Sequence, residues 1–185
     1  GLLLRVISNI MGSKYVNENV SFADITEKHS TIVVGTLFCA LNEVSIDGGQ
    51  YSTKRTISAK IKPFISDDFL NINEKGKPIY KYLNNCNAMI FSNDKNCLHI
   101  DTSSRRYYVC VVKTSTNEIE KLANADVFKR LWKIAEKYPQ YLLWHFIYNV
   151  EIADEKVYSQ RAPKTPDLLE MIEDSKHDLL LELSD

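Results

Sequence analysis

Two apolar runs in this chain each stop abruptly at hydrogen-bonding side chains. Leu37-Phe38-Cys39-Ala40-Leu41 gives way to Asn42-Glu43, and Ala88-Met89-Ile90-Phe91 to Ser92-Asn93. Short continuous apolar runs bounded by polar residues predict buried strands. Open α/β sheets place their ligand crevice beyond the carboxyl ends of such strands. If the two strands are neighbours, Glu43 and Asn93 come to one edge of one sheet.

The pattern around these runs predicts the remaining elements. Residues 1–11 read as a helix already under way, stopped by Gly12 as a left-handed cap. A helix that opens at Gly1 creates the expectation of further residues upstream. Residues 13–30 are mixed and polar, and read as a loop with one short helix from Phe22 to His29, for which Ser21 or Thr26 is a possible cap. Ser45 to Gln50 is a loop by its glycine pair. Residues 52–65 form an amphipathic helix, with Ile57, Ile61 and Ile65 on one face and Lys54, Lys60 and Lys62 away from it. Phe69 to Asn73 alternates, Glu74-Lys75-Gly76-Lys77 turns, and Pro78 to Tyr82 returns, which predicts a hairpin with a basic tip. Asp94 to Ser104 is a polar loop leading to Arg105-Arg106, and Tyr107 to Val112 is the strongest strand signal of the chain.

Beyond Asn117 the period turns helical, with an interruption near Asn124. Pro139 starts another helix, Gln140 to Val150, whose apolar residues surround it and predict burial. Trp132, Tyr138, Tyr141, Trp144 and Phe146 are accordingly read as core residues. Thr165, followed by Pro166, caps a last helix. Strands and helices alternate first and helices alone follow. The fold class is therefore α/β, divided into a core at 1–116 and a helical segment at 117–185.

A chain of 185 residues supports one domain with a sizeable core, or one domain plus a small appendage. No apolar run approaches the roughly 20 residues of a membrane span, so a cytoplasmic location without membrane contact is expected. Cys39, Cys86, Cys97 and Cys110 show no C-x-x-C spacing and read as buried reduced thiols. A metal site made from Cys86, Cys97, His99 and Cys110 lacks paired ligand spacing. None of the four histidines forms a ligand pattern. The net charge of −1 excludes a chain that attracts nucleic acid as a whole, so any such binding needs a local patch. Lys54, Arg55, Lys60, Lys62, Lys75, Lys77 and Lys81 gather in one third of the chain, while the last stretch is rich in acids.

In this order the motifs resemble superfamily 3 helicases, a branch of the AAA+ P-loop ATPases, and most of all the helicase half of phage and poxvirus-type primase-helicases. The residues that carry the resemblance are Leu37 to Glu43, the hairpin at Lys75 to Lys77, Ile90-Phe91-Ser92-Asn93, and Ser104-Arg105-Arg106-Tyr107-Tyr108, together with Ala162-Pro163-Lys164-Thr165. The resemblance implies an ATP-dependent DNA helicase of phage, viral or mobile-element replication, using ATP and Mg2+ and assembled as a homo-oligomeric ring, by analogy hexameric. Two departures stand out. The glycine-rich phosphate loop is not in the sequence, and Gly1 would sit at or just after its last positions, so this piece alone is expected to be inactive. Asn42 stands where many relatives place a carboxylate.

The resemblance also assigns roles. Glu43 would orient and partly deprotonate the attacking water, and Asn42 would hold Mg2+ through its hydration shell. Asn93 would sense the γ-phosphate. Arg106, with Arg105 as the neighbouring candidate, would reach a partner's nucleotide as an arginine finger. Lys75, Lys77 and Lys81 would track phosphates of single-stranded DNA. Each has a plainer counterpart: a strand end at the surface, a turn asparagine, two surface arginines, solvated lysines. The corresponding alternatives are a non-catalytic nucleic-acid-binding or assembly module, and an interaction scaffold that uses the acidic tail.

Overall fold

A computed structural model describes residues 1–27, 30–42, 51–151 and 162–182. Its elements are α1 (Leu2–Met11), β1 (Val16–Val20), α2 (Phe22–Thr26), β2 (Phe38–Leu41), α3 (Tyr51–Ser66), β3 (Phe69–Ile72), β4 (Tyr80–Leu83), β5 (Asn87–Ile90), α4 (Thr116–Asn124), α5 (Val127–Lys137), α6 (Pro139–Asn149) and α7 (Pro166–Glu182). They group into two compact units, Gly1–Val16 with Val112–Gln160, and Asn17–Val111 with Arg161–Asp185. This interleaving differs from a single cut after residue 116. The reason is packing: α1 contacts α5 and α6, and α7 contacts α3.

The second unit holds a three-stranded sheet in the order β1-β2-β5. β2 and β5 run parallel, with Phe38 opposite Asn87 and Leu41 opposite Ile90. Central β2 buries Cys39, Ala40 and Leu41 completely, whereas β5, at the edge, is only partly covered. β1 is not foreshadowed by the pattern, since Val16-Asn17-Glu18-Asn19-Val20 has three polar residues at its centre. Its valines are nonetheless buried. The predicted isoleucine face of α3 is confirmed in part: Ile57, Ile61 and Phe64 are buried, and Ile65 is half-buried. Leu168, Met171 and Ile172 of α7 close the same core. Thr165 starts that helix as anticipated, accepting from Leu168 N at 3.1 Å while donating to Val109 O at 2.8 Å.

β3 and β4 form the predicted antiparallel hairpin. Ile72, Leu70, Tyr80 and Tyr82 face the core. Gly76 has φ 81°, which a glycine adopts without steric cost. The short helix after residue 21 is α2, and Ser21 and Asp24 form a reciprocal capping box.

Four expectations are corrected. Gly12 ends α1 with φ 93° and ψ 126°, outside the left-handed helical region, and its N–H still bonds Ser8 O. Tyr107 to Val112 forms no strand. The segment instead runs beside residues 162–167, bonded through Ala162 N to Arg105 O at 3.1 Å and Val111 N to Asp167 Oδ2 at 2.9 Å. Pro163 and Pro166 in that neighbour have no N–H to complete a ladder. α6 is not buried: Trp144 is 64% and Tyr148 67% exposed, and Tyr141 and Phe146 are also exposed. Among the described residues of its unit, α1 and α5 are the helices that pack on it, and two neighbours leave part of a helix that is apolar all round uncovered. Finally, Cys110 is exposed and Cys86 half-buried, although all four thiols are free. The split between α4 and α5 falls where the period breaks, at Asp126 with φ 54°.

Candidate functional site

The parallel pairing of β2 with β5 continues one step past both strands, since Phe91 N donates to Leu41 O at 2.8 Å. Asn42 and the Ser92-Asn93 pair therefore leave the sheet at the same edge. Glu43 lies outside the described residues, as does Ser45 to Gln50. The Asn42 amide nitrogen donates to Glu18 O of β1 at 2.6 Å. That bond fixes the side chain and leaves its oxygen as the remaining acceptor.

Past β5 the chain folds into a tight polar turn. Asp94 N donates to Ser92 Oγ at 3.0 Å, and Asn96 N to Asp94 Oδ1 at 2.8 Å. These bonds set the backbone around Asn93, whose side chain is exposed. Cys97 is buried behind the turn, and burial pushes its thiol above the ordinary range, with Asp94 adding to the shift and Ser92 and Lys54 opposing it. Lys54 of α3 is thus the cation whose charge is felt at Cys97. By periodicity alone it counts as a solvated lysine on the polar face of a helix. The signal that marks it out is its place in the first turn of the helix following the acidic strand motif.

Arg105 and Arg106 do not join this edge. Arg106 Nε donates to Ser66 Oγ, at the carboxyl end of α3. That end lies by the start of β5, because Asn84 Nδ2 donates to Phe64 O at 2.8 Å and to Asp67 O at 3.1 Å. Arg106 is therefore at the opposite end of the strands from Asn42 and Asn93, and is held within the chain. Arg105 is the exposed member of the pair. Tyr107, next to them, has a buried hydroxyl with no hydrogen-bond partner among the described residues, and burial raises it to about 12.

Asp101 lies near this second cluster. Its carboxylate accepts from Ser103 and pairs with Lys62 at 3.5 Å. Ser103 first, and then Lys62, hold it below the usual carboxylate value. A folded pKa under the unfolded one means that this stabilisation is present above about pH 4 and is lost as pH falls through the folded value. Asp101→Asn should therefore lessen the loss of unfolding free energy between neutral and acid pH, read from urea denaturation, by less than about 1 kcal/mol because the pair is well exposed.

At the hairpin tip Lys77 pairs with Glu74, which also accepts from Tyr80 Oη at 2.7 Å. Lys77 and Tyr80 hold the Glu74 carboxyl below its ordinary value. Lys75 and Lys81 are exposed and form no ion pair among the described residues. Among the described residues no group of three His, Cys, Asp or Glu side chains could hold a metal, and no helix is long and apolar enough to cross a membrane.

A small parallel sheet with helices packed on it, an antiparallel hairpin and a separate helical unit define a mixed α/β protein. The chain belongs to the DUF5906 family, a family of unknown function, whose profile matches residues 1–106. It is also homologous to the DNA primase-polymerase of Nitratiruptor phage NrS-1, at 25% identity over 142 residues, covering 77% of this chain and 19% of that protein. The apo structure of the NrS-1 C-terminal region matches with a TM-score of 0.69 at 21% identity, over 95% of this chain and 39% of that one. Its A form matches with a TM-score of 0.63 at 19% identity, over 94% and 38%. The chain thus spans about a fifth of the curated relative, and the structural likeness speaks for the fold.

Proposed function

We propose that this chain is part of a phage-type DNA-replication protein, and that the β2–β5 edge is one wall of the nucleotide site of a superfamily 3, AAA+ type helicase. The observation that carries the reading is the parallel register, Leu41 beside Ile90, which sends Asn42 and Asn93 from the same edge. Homology to a primase-polymerase of a phage supports the replication setting.

In this reading Glu43 orients and partly deprotonates the attacking water, and Asn93 hydrogen-bonds the γ-phosphate. The anchored Asn42 amide keeps an oxygen that suits a hydrated magnesium ion, and with its single neutral acceptor it fits water-mediated rather than direct coordination. Magnesium supplies charge neutralisation on the phosphates. Arg106 is held by Ser66, so the exposed Arg105 becomes the better candidate to reach a neighbouring subunit in a head-to-tail ring, which by resemblance would be hexameric. Lys75 and Lys81 follow the phosphates of single-stranded DNA, with Lys77 already engaged by Glu74.

A second reading, a nucleic-acid-binding or assembly module without catalysis, is favoured by one observation: Asn42, Ser92 and Asn93 at the edge are all neutral. The discriminating experiment is ATP hydrolysis, with and without single-stranded DNA, by the protein as its gene encodes it. DNA-stimulated turnover supports the motor, and DNA binding without turnover supports the module. In either case, Lys75→Ala with Lys81→Ala should weaken DNA binding and flatten its dependence on log salt by about 0.7 for each phosphate no longer neutralised. An unchanged salt slope would remove the hairpin from the interface.

A further inference from the structure

The geometry points to a modification site in the sheet: Cys39 and Cys86 form a reversible disulfide when a peroxide-class oxidant reaches Cys86. The two sulfurs are 3.2 Å apart. Cys39 lies within β2 opposite Ala88 of β5, and Cys86, two positions before Ala88, is its diagonal neighbour across the strand pair, whose start is held by the bond from Asn87 N to Leu37 O at 2.9 Å. Asn84 Oδ1 further fixes Cys86 by accepting its N–H at 3.2 Å. Closing the sulfurs from 3.2 Å to bonding distance takes a movement of about 1 Å.

The pair is asymmetric in the way such chemistry needs. Cys39 is fully buried and Cys86 half-buried, so only one sulfur meets an oxidant. The contact with Cys39 draws Cys86 below the ordinary thiol range, while the same contact and burial push Cys39 up. The half-exposed sulfur is thus also the better nucleophile. The Cys86 thiolate attacks one peroxide oxygen, the O–O bond breaks, and hydroxide leaves with two electrons, giving a sulfenic acid. The Cys39 sulfur then attacks that of Cys86: an S–S bond forms, the S–O bond breaks, and water departs with the Cys39 proton. The product ties together the two strands whose ends carry Asn42 and Asn93, whatever those ends do.

The test treats the native chain with hydrogen peroxide, then measures intact mass, counts thiols alkylated after unfolding, and maps peptides. The expected result is a loss of two hydrogens in mass, two fewer alkylated thiols, and a Cys39–Cys86 linked peptide, all reversed by dithiothreitol. The thermal midpoint should rise by roughly 5–10 °C on oxidation. Cys86→Ser should abolish the linkage, and Cys39→Ala repeats the test from the other side if the serine variant folds poorly. Oxygen added to Cys86 while Cys39 stays alkylatable would overturn the proposal. So would four thiols left unchanged, or links made instead through Cys97 or Cys110.

Discussion

Glu43→Gln is expected to lower ATP turnover by about 10²–10⁴-fold while nucleotide binding persists. The exchange keeps size and hydrogen-bonding reach but removes the charge that draws a proton from water. On the proposed site the phosphates are held by other groups, so affinity for a fluorescent ATP analogue should change little. Steady-state hydrolysis and equilibrium binding on the same preparation separate the two effects. Turnover equal to that of the parent protein would remove Glu43 from the chemistry, and a parallel loss of binding would place it in nucleotide retention instead.

Leu41→Ala should cost about 2–5 kcal/mol of unfolding free energy. Leu41 ends central β2, is fully buried, and belongs to the core built from α3, α7 and the sheet. Truncation removes buried methyl groups and leaves a cavity that neighbouring backbone cannot fill, because β2 is flanked by a strand on each side. Urea denaturation followed by circular dichroism gives the difference. A change below about 1 kcal/mol would mean that the core collapses around the gap or that Leu41 is less enclosed than its burial implies. Because the same residue precedes Asn42, the substitution should also disturb the bond from Asn42 to Glu18.

What could be read in advance depended on how local the signal was. The hairpin at Glu74–Lys77, the Ser21 and Thr165 caps and the break near Asp126 each rest on a few adjacent residues, and each is found close to where the pattern puts it. The adjacency of β2 and β5 was an inference across fifty positions that two matching apolar runs made plausible, and the register bears it out. The separation of Arg106 from the sheet edge had no such signal. Adjacent arginines before an apparent strand say nothing about Ser66, and it is Ser66 that decides which of them is held.

Sequence alone determined the periodicity, the caps and the polar residues that end the apolar runs, because these follow from side-chain spacing and local backbone preference. Tertiary structure decided whatever depended on a distant partner. Tyr107 to Val112 has strand-forming side chains but lies against a segment with two prolines, and so makes isolated bonds in place of a ladder. α6 has the composition of a buried helix and stays exposed, because burial is a property of its neighbours. Cys39 and Cys86 carry no recognisable spacing, yet the sheet brings their sulfurs together. In each case the chain specifies what a residue can do, and the free energy of packing selects which of those options is used.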